Sequence, residues 1–89
     1  MTIFDFADII NKKIEITYYP NQNKRFSANF GNCEIGETGT LISEYGNGSN
    51  PMEAIEDYTE KIKGRRLVFN AMSKEDRQEY ICPQKIDKE

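Results

Sequence analysis

Hydrophobic and polar positions alternate along this chain with two different periods, one helical and one extended. The helical period comes first, over 3–11, where the apolar side chains of one face recur every three or four residues: Ile3, Phe6, Ala7 and Ile10. Thr2 is a suitable N-cap for this helix. Phe4 and Ile9 lie off the apolar face, so we expect the helix either to be buried on two sides or to contact a partner.

Period-two alternation with β-branched and aromatic residues predicts the strands. The predicted strands cover 14–19, 25–30, 40–45, 66–71 and 78–82, with 33–35 continuing the second strand after a break or bulge at Gly31-Asn32. Ile14, Ile16 and Tyr18 share one face of the first strand. The aromatic residues on the strands, Tyr18 among them, could form an exposed row at an interface, but such residues more often form the core of the sheet. Tyr19 then points to the opposite side, so one of the two adjacent tyrosines is expected to be exposed.

A second helix, over 51–63, has the clearest local signals. Asn50 is a good N-cap, Pro51 suits the first helical position, and Gly64 suits the position after the C-terminus. The glycine-rich segment 46–49 before it has two interpretations. It could bind a phosphate or carboxylate through backbone N–H groups, or it could be a structural turn, which we favour because Pro51 contributes no N–H.

The element order is therefore α-β-β-β-α-β-β. Short links between the first three strands favour antiparallel pairing. The prediction is an α+β fold with one antiparallel sheet of three to five strands and two helices. We expect a single domain over 1–83, followed by a disordered tail over 84–89.

Composition narrows the function classes. The chain has 89 residues, a net charge of −3 and no histidine, so the commonest general base and metal ligand are absent. We therefore expect no catalysis, no cofactor and no metal. Cys33 and Cys82 are interpreted as reduced thiols in a cytoplasmic protein. No apolar run is long enough for a membrane span, and the N-terminus does not read as a signal peptide.

Charged residues form two candidate binding groups. The basic cluster, which could bind nucleic acid or another polyanion, consists of Lys61, Lys63, Arg65 and Arg66. Its structural interpretation is compensation of the helix dipole together with cross-strand ion pairs. The acidic group, which could steer or bind a partner, consists of Glu34, Glu37 and Glu44.

The segment before the second helix resembles two families. Gly46 and Gly48 are similar to the glycines of double-stranded RNA-binding domains, but Asn50, Pro51 and Met52 replace the paired lysines of that family. The resemblance therefore implies a similar shape rather than RNA binding.

Tyr19-Pro20 and the run 48–54 resemble the HicB-like antitoxin domain, a partial RNase H-like fold. This second resemblance covers roughly 14–72. It implies the fold and, as one alternative, an antitoxin-like regulator associated with nucleic acid.

The run 45–71 also resembles small proteins encoded by bacteriophages and prophages. Short acidic proteins of that kind often bind a host protein, and inhibitors of host defence such as anti-CRISPR proteins are among them. We therefore expect a non-catalytic protein-binding module that inhibits or modulates a host protein, with Phe4, Ile9 and Tyr19 as anchors. A homodimer is compatible with this expectation, and the antitoxin-like regulator using the basic cluster is the alternative.

Overall fold

The computed structural model describes residues 1–87. The order of helices and strands follows the prediction approximately, with five strands before the second helix where three were predicted. The elements are α1 (Ile3–Ile10), β1 (Ile14–Tyr18), β2 (Phe26–Phe30), β3 (Cys33–Glu37), β4 (Thr40–Ile42), β5 (Gly46–Gly48), α2 (Pro51–Ile62), β6 (Arg66–Phe69) and β7 (Gln78–Ile81). All strand pairs are antiparallel. The α+β class predicted from the sequence is confirmed.

The strands form two sheets rather than the single sheet expected. One has the order β1-β2-β5 and the other β4-β3-β6-β7. The division occurs at the predicted break, where Asn32 adopts a positive φ of 53°. Ala28 pairs with Gly46 while Ile35 pairs with Ile42. The segment that joins β2 to β3 between these pairs therefore has more residues than the segment that joins β4 to β5 opposite it. The surplus residues bend the chain away from one sheet and into the other.

The short strand β5 was expected to be a turn. Its glycines are explained by the packing of α2, because a Cβ atom on Gly46 would overlap the Ala54 carbonyl oxygen and one on Gly48 would overlap the Ala54 nitrogen. Both glycines are buried. Because glycine has no side chain, the backbone of α2 can lie directly on β5.

Aromatic rings centred on Phe30 form the middle of the core. Phe6, Tyr58 and Phe69 each meet the Phe30 ring edge to face, with centroids 6.2, 5.9 and 5.7 Å away. The Tyr58 hydroxyl also accepts a hydrogen bond of 3.1 Å from the Phe30 N–H. Since β5 pairs no further along β2 than Ala28, this hydroxyl satisfies a donor at the point where the ladder ends.

The chain end differs from the expected disordered tail. Ile86 is buried in the core, and the Asp87 N–H donates to the Met1 carbonyl at 2.8 Å. Thr2 and Asp87 also form a parallel bridge beside α1. The tail prediction was therefore wrong for residues 84–87, because Ile86 gains burial against the core. The rest of the predicted tail, 88–89, lies outside the described residues.

The helix boundaries follow the predicted capping residues. Thr2 and Asp5 form a reciprocal capping box at the start of α1, and the Asn50 side chain accepts the Glu53 N–H at 2.9 Å at the start of α2. Gly64 follows α2 with a φ of 73°. Within residues 1–87, no helix is long and apolar enough to cross a membrane.

Candidate protein-binding edge

The first strand lies at the edge of its sheet and carries exposed apolar side chains. Ile16 is 41% exposed and Tyr18 is 53% exposed, although both lie on the face that continues into the core through Ala28 and Phe26. The reason is the position of α2, which packs on β5 and β2. Ile14, on the same face, is half-buried, so this face of β1 is covered only where the strand begins. Both adjacent tyrosines are exposed where one was expected, so the favoured interpretation of Tyr18 as part of the core was wrong.

The backbone of β1 also has a free side. Tyr19 N–H donates to the Arg25 carbonyl at 2.6 Å and Gly31 N–H donates to the Lys13 carbonyl at 3.4 Å, so the odd-numbered residues hydrogen-bond to β2. In an antiparallel pair such residues alternate with residues whose N–H and C=O groups point away. The groups of Ile14, Ile16 and Tyr18 therefore point to the free edge of the sheet, which no other described strand occupies.

We define the β1 edge as Ile14, Ile16 and Tyr18 with their outward backbone groups. The Tyr18 ring lies against Phe26, with centroids 5.2 Å apart, so this exposed ring is held in place by a neighbour in the next strand. Tyr19, named from the sequence as an anchor, is 45% exposed. It points to the opposite face from Tyr18, so it lies beside the β1 edge but does not extend its apolar row.

The other two predicted anchors do not join this row as one patch. Phe4 and Ile9 are both exposed on α1. Five positions apart, they are separated by about 140° around a helix, on either side of the buried face formed by Ile3, Phe6, Ala7 and Ile10. A single flat partner surface cannot cover both without also covering the outer face of α1.

The acidic group is divided between two places. Glu37 and Glu44 both form ion pairs with Arg65, the second at 3.2 Å. Glu34 is half-buried and lies in an open cleft of about 760 Å³ between the β2–β3 bend and residues 70–73. Two of the three predicted acidic contacts are thus already used within the chain.

Every member of the basic cluster has a carboxylate partner. Beyond Arg65, the pairs are Lys61 with Asp57 at 2.9 Å, Lys63 with Glu60 at 2.5 Å, and Arg66 with Glu79 at 2.7 Å. Lys61 also donates to the Tyr45 carbonyl at 2.9 Å. The pairs are partly exposed, so each contributes little to folding, but together they neutralise the charge that would attract a polyanion.

The glycine-rich segment before α2 is occupied by the helix's own side chains. Glu53 accepts from the Ser49 N–H at 3.0 Å, and Asp57 accepts from the Asn47 N–H at 2.8 Å. The hydrogen bonds from Ser49 lower the pKa of Glu53. For Asp57, burial acts to raise the pKa, but hydrogen bonds from Lys61 and Asn47 outweigh it and the pKa is lowered. These carboxylates take the place of an external anion.

The two cysteine thiols and the Tyr58 hydroxyl all have raised pKa values. Burial raises the pKa of the Cys33 thiol to about 11 and that of Cys82 to about 11, so both are thiols at neutral pH. Burial likewise raises the pKa of Tyr58. Among residues 1–87 no group of three or more metal-ligating side chains comes together.

Comparison with known proteins finds no relative. No family model, no curated protein and no solved structure matches this chain.

Sequence reasoning missed Ile16 and Tyr18 as candidate anchors. Their alternation predicts a buried face, and in most sheets a helix would cover it. The signal that could have found them is the pair of glycines at Gly46 and Gly48, which draws α2 towards β5 and away from β1.

Proposed function

We propose that this chain is a non-catalytic protein-binding module that binds another protein through the β1 edge. The observation that carries the proposal is that the exposed Ile16 and Tyr18 side chains lie on residues whose backbone donors and acceptors point to the free edge. An extended segment of a partner would pair with this edge as an added strand.

In strand addition the backbone and the side chains make different contributions to binding. Main-chain hydrogen bonds supply affinity that is nearly independent of sequence, and alternate side chains supply selectivity. On one face Ile16 and Tyr18 offer apolar contact area, and tyrosine is among the residues most often found at binding hot spots. On the other face Tyr19 can contact the same added strand.

The alternative function, an antitoxin-like regulator that binds nucleic acid through the basic cluster, has less support. Binding a polyanion draws on cations that release counterions. Here each of the four cations would first have to leave a carboxylate of its own chain. The net charge of −3 adds a general repulsion.

The identity of the bound protein rests on sequence resemblance alone. The hypothesis that follows is a phage-encoded inhibitor or modulator of a host protein, with defence proteins of the anti-CRISPR target type as one class. Occupying a strand-binding surface on that protein would inhibit it sterically.

The test compares two single substitutions on edge strands. Ile16→Lys places a charge in the β1 edge, whereas Ile81→Lys places the same charge at a more exposed position, 65% accessible, on β7 of the other sheet. Tagged wild-type and variant proteins are used to capture partners from untreated and from nuclease-treated bacterial lysate, and the captured proteins are identified by mass spectrometry. Urea unfolding of each variant verifies that it is folded.

We expect the wild type and Ile81→Lys to retain the same stoichiometric protein and Ile16→Lys to lose at least tenfold of it. Equal capture by both variants would contradict the assignment of the site. Capture that disappears with nuclease treatment would favour the nucleic-acid alternative.

A further inference from the structure

We propose that a second copy of this chain occupies the β1 edge, with the two β1 strands antiparallel and Ile16 facing Ile16 across a two-fold axis. The inference rests on the proposed function, since it requires the β1 edge to accept a strand, and it assigns the edge to a second copy while no other protein is bound. The product is a sheet that continues through both copies in the order β5-β2-β1-β1-β2-β5. A heterologous strand would then have to displace the second copy.

The alternation of inward and outward backbone groups along β1 favours this register. Only the even-numbered residues direct N–H and C=O groups outward, so only they can form hydrogen-bonded pairs with a new strand. With Ile16 on the axis, Ile14 faces Tyr18 of the second copy and Tyr18 faces Ile14. Each of these three residue pairs exchanges two hydrogen bonds, so every outward group of the β1 edge is paired.

The two neighbouring registers leave outward groups unpaired. Moving the axis to Glu15 places Glu15 opposite Glu15 and brings Tyr18 opposite Lys12, whose N–H already donates to the Ala7 carbonyl at 3.0 Å. Moving the axis to Thr17 instead brings Ile14 opposite Pro20, which has no N–H. The residues that flank β1 therefore fix the register from both ends.

Side chains in the favoured register are also compatible. The two-fold axis is perpendicular to the sheet, so Ile16 and Tyr18 of both copies lie on the same face and form one apolar strip. Tyr18 faces Ile14 of the second copy, an aromatic and β-branched pair of the kind that stabilises sheets. On the other face Glu15 meets Thr17, so no like charges are directly opposite, and the two Glu15 side chains are only diagonal neighbours about 7–8 Å apart.

Opposite charges introduced at Thr17 test the register. Thr17 is exposed and points away from the apolar strip, so Thr17→Lys and Thr17→Glu form a matched pair that differs in the sign of the introduced charge, and urea unfolding verifies that each variant is folded. The dimer dissociation constant is measured by sedimentation equilibrium at low salt, up to millimolar concentration. We expect Thr17→Lys to tighten the dimer and Thr17→Glu to weaken it, each by about three- to tenfold, because each change acts on two Glu15 contacts.

The two neighbouring registers predict different changes in dimer affinity for the Thr17 variants. With Glu15 on the axis, residue 17 faces Lys13, so Thr17→Glu would tighten the dimer and Thr17→Lys would weaken it. With Thr17 on the axis, both variants would weaken it. Either pattern, or no effect of either variant, overturns the proposal, as does a wild-type chain that stays monomeric at millimolar concentration.

Failure of this inference can be told apart from failure of the proposed function. A monomeric chain whose partner capture is still lost in Ile16→Lys would overturn the dimer and leave the proposed function standing. A dimer with the expected Thr17 signs, together with capture that Ile16→Lys leaves intact, would keep the dimer and overturn the partner-binding assignment.

Discussion

The two strands on either side of β2, β5 and β1, lie in the same sheet but differ in whether a helix covers them. On one flank lies β5, which has two buried glycines and receives the backbone of α2. On the other lies β1, which has larger side chains, Ile16 and Tyr18, and leaves them exposed. The glycines are covered and the large apolar side chains are not, although isoleucine is among the residue types most often fully buried.

The exposure of β1 is a consequence of the packing of α2 on β5. A helix that approaches as closely as α2 approaches β5 gains dense backbone contacts there. A helix is about 10 Å wide and neighbouring strands are about 4.8 Å apart, so one helix covers about two strands of a sheet. The third strand is then left open. The β1 edge is therefore a result of where the glycines are placed, and substitutions on either flank test that relation.

The largest effect is expected at the covered flank. Gly46→Ala puts a Cβ where the Ala54 carbonyl lies, and backbone atoms cannot move aside as a flexible side chain can. We expect a loss of about 3 kcal/mol in the free energy of unfolding, measured in urea. Gly36→Ala is the control, because there the three atoms nearest the added Cβ all belong to the end of the long Arg66 side chain, and we expect a change below about 1 kcal/mol. Equal losses would show that α2 is not held by β5.

A smaller loss of stability is expected at Tyr58, whose hydroxyl lies where the β2–β5 ladder ends. Tyr58→Phe removes the hydroxyl that accepts the Phe30 N–H and leaves this buried donor without its partner. We expect a loss of about 1–3 kcal/mol in the free energy of unfolding. Tyr45→Phe, at an exposed ring, should change it by less than about 0.5 kcal/mol. A Tyr58→Phe protein as stable as the wild type would mean that the end of the β2–β5 ladder needs no such acceptor.

The smallest effect is expected from pH, which acts on the attachment of α2 to the segment before it. Folding lowers the pKa of Asp57 below its ordinary value of 3.8, so the charged form contributes stability above that pH. This contribution is lost as pH falls through the lowered value. Asp57→Asn lacks the titrating group. Between pH 5 and pH 2.5 the urea midpoint of the wild type should therefore fall further than that of Asp57→Asn. An identical fall in both proteins would contradict this role of Asp57.

Local signals in the sequence predicted most elements of the fold. Thr2 and Asn50 cap the helices as expected, because capping depends on residues within a few positions of each other. The break at Gly31-Asn32 was also predicted, although its result, a second sheet, depends on pairing with β6 far along the chain. Burial of Ile86 could not be predicted for the same reason, since it requires the chain end to return to α1.

The candidate site was less predictable than the fold. Tyr19 was named from the sequence and lies beside the β1 edge, but Tyr18 was interpreted as part of the core and Ile16 was not named as a contact. Alternation specifies which residues share a face, not whether another element covers that face. The ion pairs of Arg65 with Glu37 and Glu44 likewise join residues distant in sequence, and they remove members from both predicted charged groups at once.

The most direct test of the central claim, that the β1 edge is free and accepts a strand, is amide hydrogen exchange followed residue by residue along β1 over a dilution series. At low concentration the amides of Ile14, Ile16 and Tyr18 should exchange rapidly while those of Glu15 and Thr17, which bond to β2, are protected. At high concentration the three even-numbered amides should become protected as well. Protection of all five amides at the lowest concentration would contradict a free edge, and rapid exchange of the even-numbered amides at every concentration would contradict strand addition by a second copy.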